Sequence, residues 1–572
     1  MDKSSIIHYM NEMFQYKLNE HQYVIKIKVK KGDVKGINLH YVEKYLRERN
    51  IPNHQEFCVP MKKVASTRLS DYYEAIISDE IEMMGKTLQM LAARYYFEFI
   101  NDNKEEYYGN YKWFKEKPFN TIDMFNMVIH QLNSTFFETP EWSKGATFYQ
   151  IFPERFCPTD EKYSSNWFLT PMDSKARTNG TLKGVEQKLE YIKSLGVDAI
   201  YFNPIFKSTS SHKYDTIDYM KIDEPLGTEE DFKSLIKKAH SLGIKVVLDL
   251  VFNHSSTLFF AFQDVLKNQQ NSKYKDWYFI NEYPVDVSWP AKFMGFSFAP
   301  FMPKLNTDNK ECREYLLNVG RHYLKEFDVD GYRLDVADEV THSFWKEFRN
   351  ECKKIKKDCL IMGEVWYEST PYLRGDEFDS IMNYTIFDAI RSLLNKKITI
   401  DEFIDNIERE RGESNLTYYH TSNTLIGSHD TDRIFTHLGK DKDKFISAFS
   451  LLYFLPGAPL LYYGDEIMME GENDPDCRRG MIFDPSFNKD IKNSMVNLID
   501  LKHKLPLKEG ELYLQNKDYL EITREYENEK YILILSLDKE INLPQYNDAH
   551  NLLTNEKFQG TLKPFNPLII KR

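Results

Sequence analysis

The chain has 572 residues, enough for about three or four domains, and its 42% hydrophobic and 28% charged residues are typical of a globular protein. The formal net charge is −12, without a dense run of Lys and Arg, which argues against nucleic acid or an anionic membrane as a partner. No stretch approaches the roughly 20 apolar residues of a membrane-spanning helix.

The cysteines and the N-terminal segment indicate the cellular compartment of the protein. The 6 cysteines form no CxxC pair and no zinc-finger spacing, which favours reduced thiols and no metal site. The stretch from Met1 to Glu20 mixes polar and apolar residues and lacks the apolar segment of a signal peptide. We therefore expect a cytoplasmic protein.

Residues 1–135 are expected to form a domain of their own. The segments Tyr23–Val29 and Arg94–Ile100 indicate β-strands between turns and charged stretches, which predicts an N-terminal β-sandwich. At the other end, Tyr519–Thr523 and Tyr531–Leu537 alternate polar and apolar residues. Residues 507–572 are therefore expected to form a small all-β C-terminal domain, also a sandwich.

Residues 136–506 alternate strand-like and helix-like segments. This alternation predicts parallel strands with crossover helices, and eight repeats favour closure into a (β/α)₈ TIM barrel, so the fold class is α/β. A doubly wound open sheet is the alternative, but no Gly-rich phosphate loop follows the first strand. The predicted strands are Ala146–Phe152, Val197–Ile205, Lys245–Phe252, Gly331–Asp338, Leu360–Trp366, Phe378–Tyr384, Thr424–Asp430 and Ala458–Glu466.

One connection is much longer than the others. Residues 253–306, after the third predicted strand, are rich in Phe, Tyr and Trp. A loop of that length is usually a small subdomain or a functional lid. We expect an inserted subdomain on the side of the barrel where the chemistry takes place.

Four short segments lie in or close predicted strands of the barrel: Asp249–His254, Gly331–Asp335, Gly363–Trp366 and Ser428–Asp430. They place carboxylates, histidines and an arginine at the carboxyl ends of strands, where barrel enzymes build their active sites. Glycosidic-bond hydrolysis usually requires two carboxyl groups.

Arg333 and Asp335 are two residues apart on a predicted strand, so their side chains point to the same face. We expect the positive charge to lower the pKa of Asp335 and to keep it ionised, as a nucleophile requires. A buried ion pair that stabilises the barrel is the alternative. The apolar surroundings of Glu364 favour a protonated carboxyl, which suits a general acid, although a strand-end Glu can also be only a satisfied polar group.

His429 and Asp430 are neighbours, so both reach one site only if the strand bends at its end. A zinc site built from these residues and Asp249 or His254 lacks a His-x-x-x-His pair. A Ser–His–Asp esterase lacks the Gly-x-Ser-x-Gly elbow. Hydrogen bonds to sugar hydroxyls are the favoured use of these side chains.

These segments closely resemble the α-amylase family, glycoside hydrolase family 13. The segment Met302–Asn306 resembles the neopullulanase, cyclomaltodextrinase and maltogenic amylase subfamily, as do Tyr149–Phe156 and the N-terminal region. The resemblance extends over nearly the whole chain.

The resemblance implies that Asp335 is the nucleophile, that Glu364 is the general acid/base, and that Asp430 stabilises the transition state. It further implies retention of anomeric configuration through a covalent glucosyl-enzyme. Other residues are implied to bind sugars: His212, Tyr214, His254, Arg333 and His429 around the attacked sugar, Asp474 and Arg478 around the next one, and Glu339 and Trp366 on the leaving-group side.

The chain departs from the family at several positions. Tyr332, Asp338, Tyr367 and Gly480 stand where Trp, Asn, His and Pro are usual. None of these changes removes a catalytic group, but Asp338 and Tyr367, with Glu339, are expected to alter the acceptor subsites. The loop Cys157–Glu161 lacks most of the Asn and Asp ligands that bind calcium in many relatives, so no cofactor is expected to be required, and calcium stays an open alternative.

The resemblance implies a hydrolase of α-1,4 and some α-1,6 bonds in cyclodextrins, maltooligosaccharides and pullulan, with transglycosylation. It implies a homodimer in which one N-terminal domain covers the partner's barrel. An oligo-α-glucosidase or an α-glucanotransferase on the same scaffold is the nearest alternative, and Met302–Asn306 with the N-terminal domain argues against the glucosidase. A non-catalytic carbohydrate-binding protein is the remote alternative, and the presence of Asp335, Glu364 and Asp430 argues against it.

Overall fold

The computed structural model describes residues 1–49, 56–83, 86–101, 104–132, 138–484 and 486–572. The chain divides into two compact units. The first comprises Met1–Glu138, Thr370–Asp376 and Asp401–Tyr419, and the second comprises Thr139–Ser369, Glu377–Ile400 and His420–Arg572. Among the helices of the described residues, none is both long and apolar enough to cross a membrane.

The first unit contains two antiparallel sheets. One sheet has the strand order Gln15–Lys17, Gln22–Lys30, Ser70–Ser78, Lys62–Ser66. The other has the order Lys112–Phe114, Lys104–Gly109, Ala92–Asn101, Gly36–Glu43, Glu56–Pro60, with Phe125–Val128 also paired to Ala92–Asn101. The unit also contains a hairpin of Glu80–Met83 and Lys86–Gln89, the α-helices Lys44–Glu48, Ile129–Leu132, Ile400–Glu413 and Leu416–Thr421, and short 3₁₀ helices.

Apolar residues at alternate positions along the strands form the core of this unit. Tyr23, Ile25 and Ile27 of one sheet and Leu39 and Phe97 of the other are all buried in the same apolar cluster. Because successive strand residues point to opposite faces, one face of each sheet supplies this cluster. The antiparallel N-terminal domain expected from the sequence is confirmed.

The second unit is built around a closed barrel of eight parallel strands, in which the last strand pairs with the first. Its strands are β1 Phe148–Ile151, β2 Ala199–Phe202, β3 Lys245–Leu250, β4 Gly331–Leu334, β5 Leu360–Gly363, β6 Ser380–Asn383, β7 Asn423–Thr424 and β8 Ala458–Tyr462. The TIM barrel is thus confirmed and the open sheet is excluded. The α-helices of this unit are Pro153–Phe156, Leu182–Gln187, Leu189–Ser194, Glu229–Ser241, Phe260–Asn268, Lys310–Phe327, His342–Ile355, Tyr384–Leu394, Ile434–His437, Lys442–Phe454, Lys489–Lys502 and Leu505–Lys508.

The helix Glu229–Ser241 shows how local sequence positions these elements. Thr228 caps its first turn and exchanges hydrogen bonds with Asp231 in a capping box. Phe232, Leu235, Ile236 and Ala239 recur at helical spacing and are all buried. The helix therefore presents one apolar stripe to the barrel.

Several barrel strands end earlier than the sequence suggested. β4 ends at Leu334 rather than at residue 338, and β7 contains two residues rather than seven. The backbone after β4 leaves the extended conformation at Val336, whose φ is 45°, and its N–H donates to Glu364 Oε2 at 2.9 Å. The N–H of Val336 thus bonds to a side chain instead of to the backbone of a neighbouring strand, and Asp335 lies just beyond the end of β4.

The connection 253–306 contains the helix Phe260–Asn268 and short 3₁₀ turns. Isolated β-bridges join His254 to Lys304 and Tyr278 to Leu305, which closes the segment on itself. Toward the C-terminus, Glu511–Asn516, Leu520–Tyr526, Glu529–Leu535 and Leu568–Lys571 form an antiparallel sheet, and shorter pairs join Ile541–Asn542 to Thr561–Leu562 and His550–Asn551 to Glu556–Lys557. The all-β C-terminal domain is confirmed, whereas the boundaries at 135, 253, 306 and 506 stay predictions.

Candidate active site

Arg333, on β4, lies at the centre of a cluster of carboxyl groups. Its Nη1 lies 3.0 Å from Asp249 Oδ2 and 2.8 Å from Asp335 Oδ1, and its Nη2 lies 2.8 Å from Glu364 Oε2. The arginine side chain is fully buried. Because β3, β4 and β5 are neighbours in the barrel, one guanidinium receives a carboxyl group from the end of each strand.

The charge balance of this cluster corrects one sequence-based expectation. Burial raises the pKa of Asp335 well above its ordinary value, although the charge of Arg333 opposes the shift and that of Glu364 adds to it. Burial likewise raises the pKa of Asp249 to about 6. The expectation of a lowered pKa for Asp335 was therefore wrong, because burial outweighs the charge of Arg333, which three carboxyl groups also share. Such a group retains a proton more readily than one isolated ion pair does.

Glu364 follows the last residue of β5 and is held at both oxygens. Oε2 accepts from the N–H of Val336 at 2.9 Å, and Oε1 accepts from Trp366 Nε1 at 3.0 Å. The indole of Trp366 stacks on Tyr384, with ring centroids 3.7 Å apart and planes 14° apart, yet it remains 41% exposed. An exposed aromatic face thus lies directly beside the carboxyl group.

His429 and Asp430 lie in a turn beyond β7, so the bend required by their adjacency is present. His429 Nε2 lies 3.1 Å from Asp430 Oδ2, and its Nδ1 lies 2.8 Å from Gln150 Nε2. Burial, reinforced by the charge of Arg478, lowers the pKa of His429 well below its ordinary value. The imidazole is therefore neutral and serves as a hydrogen-bonding group.

Tyr214 connects this turn to the carboxyl cluster. Its hydroxyl donates to Asp249 Oδ2 at 2.9 Å and bonds to His429 Nε2, while the rings of Tyr214 and His429 stack with their planes 9° apart. The ring centroid of His212 lies 5.9 Å from that of Tyr214, with the two planes 24° apart. The three rings form a continuous wall of the site.

The remaining predicted residues join the same network. Arg478 donates to the backbone oxygen of His429 at 2.7 Å and to Asp430 Oδ1 at 3.2 Å, and it pairs with Asp474 at 2.8 Å. Glu339 Oε2 accepts from Asn253 Nδ2 at 3.3 Å and pairs with Lys304 of the Met302–Asn306 segment.

His254, next to Asn253, is buried and stacks on Phe296 at 4.9 Å. Burial, aided by the charge of Lys304, lowers the pKa of His254 to about 3. The structure therefore joins the other predicted site residues in one network and places His254 and Glu339 in contact with Asn253, whereas their individual roles stay predictions.

Some side chains of this network were not predicted from the sequence. Tyr201 donates to Asp249 Oδ2 at 2.6 Å, and Asn203 donates to the hydroxyl of Tyr214 at 3.0 Å. The alternation of β2 carries the signal for Tyr201, since Ala199 and Tyr201 share the inward face. Tyr384 had no comparable signal, because the chain is rich in aromatic residues throughout.

In the loop Cys157–Glu161, where the family resemblance raised the question of calcium, the side chains have other partners. Glu161 pairs with Lys188 at 2.7 Å, and Asp160 Oδ1 accepts from Gln187 Nε2 at 2.9 Å. Cys157 contributes a buried thiol rather than an oxygen. Calcium requires six to eight oxygen ligands. These residues therefore do not fit a calcium ion.

Comparison with known proteins gives a family for this arrangement. The model of the α-amylase catalytic domain matches residues 150–527, and the model of the α-amylase N-terminal ig-like domain matches residues 1–131. The chain belongs to the α-amylase family. It is therefore a glycosidase, and the resemblance found in its sequence is confirmed.

Among relatives in the α-amylase family, the maltogenic α-amylase of Bacillus acidopullulyticus is 38% identical over 558 residues, which cover 96% of this chain and 93% of that protein. Neopullulanase 2 of Thermoactinomyces vulgaris is 38% identical over 519 residues, which cover 88% of this chain and 84% of that protein. A solved cyclomaltodextrinase structure superimposes with a TM-score of 0.88 at 32% identity, covering 100% of this chain and 98% of the other.

Proposed function

We propose that this enzyme hydrolyses α-1,4 bonds, and some α-1,6 bonds, of cyclodextrins, maltooligosaccharides and pullulan, with retention of configuration and some transglycosylation. The observation that carries the proposal is the pair Asp335 and Glu364, which bind the two terminal nitrogens of the Arg333 guanidinium. This arrangement holds a nucleophile and a proton donor side by side.

In the first step, an oxygen of Asp335 attacks the anomeric carbon while Glu364 gives its proton to the departing glycosidic oxygen. The carbon–oxygen bond to the leaving sugar breaks, and an ester to Asp335 forms. In the second step, Glu364 takes a proton from water, whose oxygen attacks the same carbon and releases Asp335. Two inversions at one carbon give net retention.

The shared guanidinium links the charge states of the two carboxyl groups. With its proton on Glu364, the cluster carries one negative charge fewer, which favours the ionised form of Asp335 beside Arg333. The mechanism therefore requires that the proton retained by the cluster lie on Glu364 and not on Asp335 when the bond breaks.

The sugar-binding roles follow from the same contacts. We assign the Tyr214 ring to stacking on the attacked sugar, and His212, His254 and His429 to its hydroxyl groups. Asp430 binds hydroxyls of that sugar as charge develops on its ring, while Arg478 and Asp474 hold the next sugar.

Glu339 and the exposed face of Trp366 lie on the leaving-group side, where an acceptor sugar can replace water. The exposed Trp366 platform also favours an α-glucanotransferase as the second candidate, because stacking holds an acceptor against the glucosyl-enzyme.

We propose that the enzyme is a cytoplasmic homodimer that needs no cofactor for hydrolysis. The free state of all cysteines supports a reducing compartment, and the misfit of the Cys157–Glu161 loop supports activity without calcium. The match to the N-terminal domain of the family supports the dimer. A monomer in analytical sedimentation at the assay concentration would contradict this part of the proposal.

A product profile on γ-cyclodextrin, pullulan and soluble starch, run side by side, tests the substrate class. Rapid opening and trimming of the cyclodextrin with little action on starch is expected. Fast cleavage of starch would instead indicate an open, endo-acting amylase. The absence of turnover on all three would support the non-catalytic carbohydrate-binding protein.

A further inference from the structure

A cluster of metal-ligating side chains lies in the N-terminal unit, on the strands Gly36–Glu43, Glu56–Pro60 and Ala92–Asn101. His40 lies directly across from Cys58 on one side and from Tyr96 on the other. Glu98 lies across from Asn38, two residues before His40. Because residues two apart share a face of a sheet, these side chains project from the same face.

This face is opposite to the one that builds the core of the unit. Leu39, Tyr41, Tyr95 and Phe97, which alternate with the cluster along the same strands, belong to the buried core. His40 and Glu98 are nevertheless nearly inaccessible, at 4% and 8% exposure, whereas Cys58 is exposed. The cluster is thus a shallow site with two buried ligands and one open side.

The distances within the cluster suit a small metal ion. His40 Nε2 lies 2.8 Å from Glu98 Oε2 and 3.7 Å from Cys58 Sγ, and one ligand atom from each residue lies within 4.8 Å of the others. Around a tetrahedral zinc ion with bonds of about 2.0–2.3 Å, ligand atoms are separated by about 3.3–3.7 Å. Small side-chain rotations therefore bring the three atoms to ligand separations.

The neighbouring residues orient the ligands. The imidazole of His40 stacks on Tyr96, with centroids 4.8 Å apart and planes 2° apart. Glu98 Oε2 accepts from Asn38 Nδ2 at 2.9 Å, and its Oε1 accepts from the hydroxyl of Tyr107 at 3.2 Å. Contacts of this kind fix the orientation of metal ligands and raise their affinity.

The local charges favour a cation. A second carboxyl group lies close by, with Glu56 Oε1 3.8 Å from His40 Nδ1. A cation at the cluster is therefore attracted by Glu98 and Glu56, and a thiol that coordinates it loses its proton.

We propose that His40, Cys58 and Glu98 bind a zinc ion, with water in the fourth position. Binding forms a zinc–sulfur bond and releases the thiol proton of Cys58 to solvent, while the His40 ring proton moves from Nε2, which now binds zinc, to Nδ1. The strand Glu56–Pro60 lies at the edge of its sheet, so the metal joins this edge strand to the two strands beside it. The site shares no residue with the hydrolytic site, and its expected effect is on the stability of the N-terminal unit.

The test uses the full chain after removal of metal by dialysis against a chelator. Titration with zinc alone is expected to show one equivalent bound and a higher Tm, and cobalt is expected to give a sulfur-to-metal charge-transfer band. Cys58→Ser, His40→Gln and Glu98→Gln are each expected to weaken zinc binding at least about tenfold. His21→Gln is the matched control, because His21 faces Asp79 at 3.2 Å in the same unit without a thiol.

A second measurement needs no variant. One equivalent of zinc is expected to protect Cys58 of the wild-type chain from alkylation, as read by peptide mass spectrometry. The proposal is overturned if wild-type protein binds no stoichiometric zinc. Unchanged zinc binding and an unchanged cobalt band in Cys58→Ser, or alkylation of Cys58 at the same rate with and without zinc, would also overturn it.

Discussion

At the scale of single residues, the mechanism requires that Asp335 be the nucleophile and that Glu364 be the proton donor. Asp335→Asn is expected to lower turnover of γ-cyclodextrin by several orders of magnitude, because no nucleophile remains. Glu364→Gln is expected to lower it by about 10²–10⁴-fold, because the leaving oxygen is no longer protonated. Steady-state rates, with circular dichroism to verify the fold, measure both effects.

An activated substrate separates the two roles. Fluoride leaves without protonation, so Glu364→Gln is expected to release fluoride from α-maltosyl fluoride at a substantial rate, whereas Asp335→Asn is not. Near wild-type rates on γ-cyclodextrin in either variant, or the opposite ranking on the fluoride, would contradict the assignment.

The sequence was sufficient to find these carboxyl groups but not to describe their charge. Asp335 and Glu364 stand in motifs at the ends of predicted strands, which a single sequence shows. The number of carboxyl groups that share Arg333 depends on which strands are adjacent and how far each side chain reaches. The sign of the pKa shift at Asp335 could therefore not be predicted.

At the scale of elements, strand order was predictable and strand ends were not. Apolar runs such as β3, buried on both faces, are typical of parallel strands and appear directly in the sequence. The end of β4 is determined by the bond between the Val336 N–H and Glu364, residues 28 apart in the chain. No local pattern encodes a contact of that range.

The left-handed conformation of Val336 gives a test at this scale, since it costs a β-branched residue about 1–2 kcal/mol. Val336→Gly is expected to be more stable than Val336→Ala by about 1 kcal/mol, the reverse of the usual order. Denaturant midpoints of the two variants measure the difference. Val340, whose φ is −103°, is the control: there Val340→Ala is expected to be more stable than Val340→Gly. If the Ala variant were the more stable one at both positions, the role of backbone conformation at Val336 would be refuted.

His8, buried in the N-terminal unit, is expected to make the free energy of unfolding depend on pH. Its Nδ1 lies 2.7 Å from the backbone oxygen of Lys26, and burial lowers the pKa of His8 to about 3. Below pH 6.5 the unfolded chain binds a proton that the folded chain does not. The contribution of His8 to stability is therefore complete above pH 6.5 and is lost as the pH falls toward 3.

The slope of the free energy of unfolding against pH measures this contribution. Between about pH 6 and 4, His8→Gln is expected to reduce the slope by up to about 1.4 kcal/mol per pH unit, equivalent to one proton. His550→Gln, at an exposed position, is the control and should leave the slope unchanged. An unaltered slope in His8→Gln would show that His8 is not held neutral.

At the scale of the whole molecule, the sequence predicted the α/β barrel, the β domains on either side of it and the family. Eight alternations of strand and helix required closure, and the motifs followed in the order that the family requires. The zinc-ligating cluster of the N-terminal unit could not be predicted, because His40, Cys58 and Glu98 have no metal-ligand spacing in the sequence and meet only through strand pairing.

The anomeric configuration of the first product distinguishes double displacement through Asp335 from direct attack by water. Proton NMR recorded as the enzyme opens γ-cyclodextrin distinguishes the α from the β reducing end before mutarotation equilibrates them. The account predicts the α-anomer, because Asp335 and Glu364 lie side by side on one guanidinium and act by double displacement. Initial formation of the β-anomer would mean direct attack by water, and would contradict the nucleophilic role of Asp335.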